Sequence, residues 1–274
     1  MLSAVSAPKR SLLTGQVAGT HQKLDQIARK AMAPFLKKGD FFPTSKEILH
    51  FEGRRGPDGL KLKSLGVDEP EHFINPGDSS SALVDEIKNH YHNLKTALAA
   101  KDRTRAAFEA AWLAHFLTDG LTPAHHYPFH ESVDEMMGEK EFLAIFGKPV
   151  AGVMRGDSLL EAAKNNWKYW GVNGLMSRHV AFEVGVNILV ARVPNSRLTP
   201  EITASDIENF DLLAEFNTFL TEIVNLNLYG RFAKDGWTPK ISQEVEKLLI
   251  PAIIRMILLS WLSALPRQTS KERQ

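Results

Sequence analysis

The residues best suited to chemistry in this chain lie between positions 115 and 125, in the run His115-Phe-Leu-Thr-Asp119-Gly120-Leu-Thr-Pro123-Ala-His125. A histidine and a carboxylate one helical turn apart share one face of a helix. Gly120 and Pro123 favour stopping that helix, which lets His125 turn back towards the same point. Imidazole nitrogens and a carboxylate converging from a helix and its exit loop are what a zinc site needs. The chain has no cysteine, so disulfides and thiolate metal sites are excluded. Histidine, aspartate and glutamate remain as ligands, a set that suits zinc or another borderline divalent ion.

Other pairs of this kind flank the central one. The spacing His-x-x-x-Asp/Glu occurs at His21/Asp25, His115/Asp119, His130/Asp134 and His179/Glu183. Chance predicts roughly one such pair at this composition, so the set of four is more informative than any member. A single pair read alone is a surface or helix-end contact. The long stretch 53–78 adds Asp58 and His72-Phe73, with Pro76 stiffening its exit. Phe73 is placed to pack on the His72 ring. Pro57-Asp58-Gly59 is also a plain turn signal. Of the downstream pairs, His179/Glu183 sits in a well-formed apolar helix with Ala181, Phe182 and Val184. His130 follows His125 closely for a residue of a separate helix.

The elements that must position these groups are helical. Strand signals are scarce, and apolar periodicity predicts helices over 20–37, 44–51, 79–100, 102–119, 132–145, 157–169, 174–192, 205–229 and 240–265. Ser79-Ser80-Ser81 and Asp102 supply caps for the third and fourth. The 53–78 stretch, rich in Gly, Pro and Asp, is expected to be a loop long enough to be functional. Segments 146–157 and 193–204 read as connectors. The expected organisation is a single-domain, all-α multi-helix bundle over 17–266, with an N-terminal extension over 1–16 and a polar tail over 267–274.

Composition narrows the function classes. Of 274 residues, 43% are hydrophobic and 24% charged, as in ordinary globular chains. A net charge of +1 gives no basic footprint for duplex nucleic acid, while a single strand can still bind through stacking in a local groove. MLSAVSAPKR lacks the basic region and long apolar core of a signal peptide. Residues 250–265 are strongly apolar but interrupted by Pro251 and Arg255. They are short for a membrane span and are expected to form a core helix.

In order and type, these residues resemble the bacterial zinc-dependent phospholipases C, whose superfamily also holds single-strand nucleases of the fungal type. The matching elements are Gly19-Thr20-His21, Asp58, His72-Phe73, His115/Asp119/Pro123/His125 and His179/Glu183. They run from about residue 17 to residue 190, and the central segment is the most specific. The resemblance implies an all-α fold holding two or three zinc ions. Asp58, His72, His115 and Asp119 would hold the first ion. His125, His179 and Glu183 would hold the second, with His130/Asp134 as the competing source. His21 and a bridging Asp119 would hold the third. The family completes that third ion with an N-terminal tryptophan, whereas Pro8 to Ser11 here contain none. The implied activity is hydrolysis of a phospholipid or related phosphodiester by water activated at the metals, with Asp58 as ligand and as the group that orients or deprotonates that water. A single-strand nuclease on the same scaffold is the alternative enzyme. A helical binding protein with a degenerate metal site is the alternative from another class. A peripheral membrane contact would accompany a lipid substrate, and no obligate protein partner is indicated. The family is usually exported, and this sequence fixes no location.

Among the remaining candidates, His126 is expected beside the site or facing substrate. His90 and His92 are expected on a solvated helix face, and His50 in a cap or packed on Phe51. Trp112, Trp167, Trp170, Trp237 and Trp261 are expected in the core, with Trp112 near the site.

Overall fold

The computed structural model describes residues 19–61, 72–76, 81–126, 158–171 and 174–266. Among them no strand forms, and an isolated bridge joins Ile74 to His126. The all-α expectation therefore holds for the described chain. The expected helix over 132–145, the connector over 146–157, the pair His130/Asp134 and both terminal segments lie outside it.

The first helix, α1 (Thr20–Ala31), starts where the Gln22 side chain accepts a hydrogen bond from Gly19 N–H at 3.0 Å. It buries His21, Leu24, Asp25, Ile27 and Ala28 along one stripe. It ends short of the expected residue 37, because Pro34 opens a tighter turn at Ala33–Phe35. Two short helices follow, α2 (Ser45–Leu49) and α3 (Pro57–Lys61), linked by a 3₁₀ turn at Gly53–Arg55. The expected loop thus begins with ordered turns.

The centre of the molecule is a helix pair. Ser81 caps α4 (Ala82–Ala99) and Asp102 caps α5 (Arg103–Leu121), each side chain accepting from a backbone N–H one turn on. Most of α5 from Ala106 to Leu121 is buried, and Glu109, His115, Thr118 and Asp119 are buried with its apolar residues. It runs two residues beyond the expected end. Gly120 does not stop it. A Cβ there would meet Phe216 Cζ at 2.8 Å and Leu83 Cδ2 at 3.0 Å, so Gly120 admits neighbours that a side chain would exclude. The helix stops instead at Thr122, ahead of a 3₁₀ turn at Pro123–His125.

Downstream come α6 (Leu159–Trp170), α7 (Leu175–Arg192), α8 (Asn195–Leu198) and α9 (Ala204–Glu208). The single helix expected over 205–229 is broken. Asp211 caps a new helix, α10 (Leu212–Leu226), by accepting from Leu213 and Ala214 N–H. Asn227 then turns left-handed at φ 45° before α11 (Leu228–Asp235).

The last expected helix is continuous from Pro239 to Ser263 but not uniform. It comprises α12 (Pro239–Glu244), a widened π turn at Val245–Leu249 and α13 (Ile250–Ser263). Pro251 has no N–H to bond and its ring crowds the carbonyl one turn back, and the widened turn relieves both. Helix α13 packs against α1 and α5. Its Trp261 is fully buried, with Nε1–H donating to Ala110 O at 3.1 Å. Each fully buried Leu or Ile here contributes about 1.5–3 kcal/mol. No described helix is long and apolar enough to cross a membrane, and the 250–265 stretch is the core helix expected.

Candidate metal centre

Six parts of the fold bring the eight expected side chains together. His21 projects from the buried stripe of α1, and Asp58 comes from the first turn of α3. His72 lies on the 72–76 segment. His115 and Asp119 lie one turn apart on α5, and His125 closes the following turn. His179 and Glu183 lie one turn apart on α7. All eight are buried.

Their ligand atoms fall into three compact groups able to hold a metal ion: His21/Asp58/His115, His72/His115/Asp119 and His125/His179/Glu183. The third is the set expected for the second ion. The set expected for the first ion is spread over two groups that share His115, and His21 joins Asp58 in one of them. Asp119 ties the centre together. Its Oδ2 lies 2.7 Å from His72 Nδ1 and 3.2 Å from His115 Nε2. Its Oδ1 lies 3.3 Å from His21 Nε2 and 3.8 Å from His125 Nε2. Asp58 Oδ1 stands 3.9 Å from His115 Nε2 and 4.0 Å from His72 Nδ1.

The loop carrying His72 is held to the turn carrying His125. Ile74 N–H donates to His125 O at 3.0 Å, and His125 Nδ1–H donates to His72 O at 2.7 Å. Phe73 does not pack on His72 as expected. It stacks on His125 at 5.3 Å and tilts against His179 at 6.2 Å, because consecutive residues of an extended segment point to opposite sides. His21 and His115 stack at 4.2 Å.

The hydrogen bonds test whether a cation fits. His125 Nδ1 faces the His72 carbonyl and His179 Nδ1 faces the Ala124 carbonyl, at 2.7 and 3.0 Å. A carbonyl only accepts, so both rings carry their proton on Nδ1. With Nδ1 so occupied, each ring turns its Nε2 towards Glu183 Oε1, at 2.9 Å, and a ring without a second proton aims a lone pair there. Two lone pairs and a carboxylate oxygen repel one another unless further protons or a cation lie among them. Adjacent corners of a tetrahedral zinc site are about 3.3 Å apart, close to the 2.9–3.4 Å spacings here. The donor set fits a divalent cation.

The electrostatics agree. Burial raises the Asp119 carboxyl, but the imidazoles of His125, His115 and His21 outweigh it and hold the group well below the usual carboxylate range. Burial likewise opposes ionisation of Asp58 and Glu183, yet His115 beside the first, and His125 and His179 hydrogen-bonded to the second, push both below that range. The same contacts act on the bases. Burial lowers His115 and His125, but Asp119 and the neighbouring glutamates Glu52 and Glu183 raise them above free imidazole. Unpaired burial of this many charges is costly, which is why they occur as interlocked pairs.

Two acids behind the centre were not expected. Glu52 is buried, with Oε1 3.4 Å from His115 Nδ1. Asp25, noted only by its spacing from His21, is buried with neither oxygen hydrogen-bonded among the described residues. Burial, and then the charge of Glu52, push its carboxyl well above the usual range. The sequence signal for Glu52 was the pair of glycines after it. Gly53 has a φ of 61°, and a Cβ on Gly56 would meet Glu52 Cα and Phe51 O at 3.0 Å.

Among the remaining expectations, those for His90 and Trp167 need correction. His90 is buried rather than solvated. It stacks on Phe116 at 5.4 Å, and its Nδ1 lies 2.5 Å from Glu109 Oε2. It shares a stripe with Leu83, Ile87 and Leu94, which carries it inward. Trp112 packs in that cluster, 4.7 Å from Phe108, and Trp167 is 71% exposed rather than in the core. His126 Nε2–H donates to Gly120 O, and burial lowers its pKa to about 4. His92 is exposed, and His50 is exposed with Phe51 edge-on at 4.9 Å.

Compared with family models, with curated proteins and with solved structures, the chain gives no match.

Proposed function

We propose that the protein is a zinc-dependent phosphodiester hydrolase of the phospholipase C type, acting on a phospholipid or a related phosphodiester. The observation that carries this reading is the convergence of all eight candidate ligands, buried, in three groups joined through His115 and Asp119. His21, Asp58, His72, His115 and Asp119 would hold one or two ions, and His125, His179 and Glu183 another. Bound zinc supplies Lewis acidity, lowering the pKa of a coordinated water towards about 7 and offsetting charge on a phosphoryl group.

The chain's own residues do the rest. The Nδ1–H bonds of His125 and His179 to backbone carbonyls fix both rings with Nε2 inward. Asp119 holds four imidazoles at set distances through its two oxygens. Asp58, ionised because His115 outweighs its burial, stays available to accept a proton from the attacking water. No side-chain nucleophile is required.

The test is zinc content of the purified protein by plasma mass spectrometry before any chelator is added, followed by a substrate panel. Two or three zinc per chain with release of phosphorylated head group from phosphatidylcholine vesicles is the expected result. Equal zinc with cleavage of single-stranded DNA alone would move the reading to the nuclease. One zinc or none would overturn it in favour of a binding protein.

A further inference from the structure

We infer that Glu52 is a positioning residue for His115, holding that ring so that its Nε2 is presented to the candidate metal centre; the inference rests on the metal-centre reading above. His115 is fully buried, and its two nitrogens face different groups. On one side Nε2 lies 3.2 Å from Asp119 Oδ2, 3.4 Å from His72 Nδ1 and 3.9 Å from Asp58 Oδ1. On the other side Nδ1 lies 3.4 Å from Glu52 Oε1. This is an ion-pair contact, and neither Nδ1 nor Oε1 makes a hydrogen bond among the described residues. Facing each other, each is placed to satisfy the other, and a buried orphan of either kind costs about 1–3 kcal/mol.

Glu52 is itself fixed. Its Oε2 accepts from Gly53 N–H at 3.2 Å. The 3₁₀ turn beyond it closes tightly because Gly53 sits at φ 61° and Gly56 leaves no Cβ against the Glu52 backbone. The carboxylate is therefore aimed by the turn that connects α2 to α3, the helix of Asp58. Turning the His115 ring over would place carbon against Glu52 and against Asp119 at once. Stacking of His21 at 4.2 Å and the edge contact with Phe116 at 5.9 Å limit tilting in between.

The other rings show what is particular to this arrangement. His125 and His179 are anchored through Nδ1–H by backbone carbonyls. His115 is anchored by a carboxylate, which orients the ring and also makes its Nε2 a more basic ligand. His115 is shared by two of the three groups, so strengthening this one ligand acts on both.

The experiment compares wild type with Glu52→Gln, which keeps shape and removes charge. Zinc is titrated against a chromophoric chelator, and nitrogen-proton correlation spectra of histidine-labelled, zinc-loaded protein report which ring nitrogen carries the proton. Glu52→Gln is expected to weaken the zinc sites that include His115 by about 10- to 100-fold while the His125/His179/Glu183 site keeps its affinity. Wild-type His115 is expected to be protonated on Nδ1 and coordinated through Nε2. A wild type that takes up no zinc overturns the metal-centre reading, and this inference with it. A wild type that loads zinc while Glu52→Gln loads it with equal affinity overturns this inference alone. If Glu52→Gln does not fold, the wild-type spectrum decides: His115 coordinated through Nδ1 overturns the inference and Nε2 coordination upholds it.

Discussion

The backbone carbonyl of His72 accepts a hydrogen bond from the ring of His125, at 2.7 Å. One residue of the His72/His115/Asp119 group thereby sets the ring of a residue in the His125/His179/Glu183 group. The bond fixes the His125 tautomer, and it joins the 72–76 segment to the exit of α5. Two candidate metal groups are thus coupled through the main chain as well as through Asp119, whose Oδ1 lies 3.8 Å from His125 Nε2.

Replacing Asp119 should empty the centre. Asp119→Ala removes the carboxylate that faces His21, His72, His115 and His125, and leaves four buried imidazoles without their common partner. Zinc per chain is expected to fall to one or less, held by His125, His179 and Glu183, and hydrolysis to fall below detection. Metal analysis of the folded variant checks this, and a normal zinc content would defeat the assignment.

Stripping zinc should destabilise the fold. The centre joins α1, α3, α5 and α7, so an ion bound only to the folded chain stabilises it by mass action, about 2.7 kcal/mol at a hundredfold excess over Kd. Chelation is expected to lower the melting temperature, with recovery on added zinc and none on magnesium, which disfavours imidazole ligands. Calorimetry with and without chelator reads this directly. Equal melting temperatures would contradict it.

Gly120→Ala tests packing next to the centre. The added Cβ would press on Phe216 Cζ at 2.8 Å and Leu83 Cδ2 at 3.0 Å. Overpacking of this kind costs about 1–3 kcal/mol. Helix propensity works the other way, since Ala is favoured over Gly by about 1 kcal/mol in a helix interior. A net loss is expected in chemical denaturation, and a gain in stability would show that Phe216 moves aside freely.

Asp206 gives a pH dependence away from the centre. The Thr203 backbone N–H, the Arg255 guanidinium and the Thr203 hydroxyl lower its carboxyl to about 2. A depressed carboxyl stabilises the fold above its unfolded value near 3.9, and that contribution is lost as pH falls from about 4 towards 2. Asp206→Asn should therefore be less stable than wild type at pH 6, by up to about 1 kcal/mol. The two should converge near pH 2. A constant difference across that range would show that charge is not the cause.

Much of the site follows from local spacing. His115 with Asp119, and His179 with Glu183, are pairs one helical turn apart, so any helix through them places both groups on one face. Ser81 and Asp102 cap the helices they precede because their oxygens reach a backbone N–H within the same turn. Trp261 lies in an apolar run and is buried.

Other features are not registered by composition or by propensity summed over a window. The break between α9 and α10 follows from the Asp211 cap, which propensity summed over 205–229 does not register. Trp167 is exposed although its type suggests burial.

The sequence by itself determined that the described chain is helical and where each His/carboxylate pair sits along it. Both depend on periods of three to four residues and on side chains reaching their own backbone. The tertiary structure alone decided that Asp119 meets His72 across 47 residues, that Phe73 packs on His125, that His90 is buried, that Gly120 is needed for packing and that Glu52 stands behind His115. Each of these is a contact between separate elements, and its distance is set by how helices pack, not by the spacing of residues within one of them.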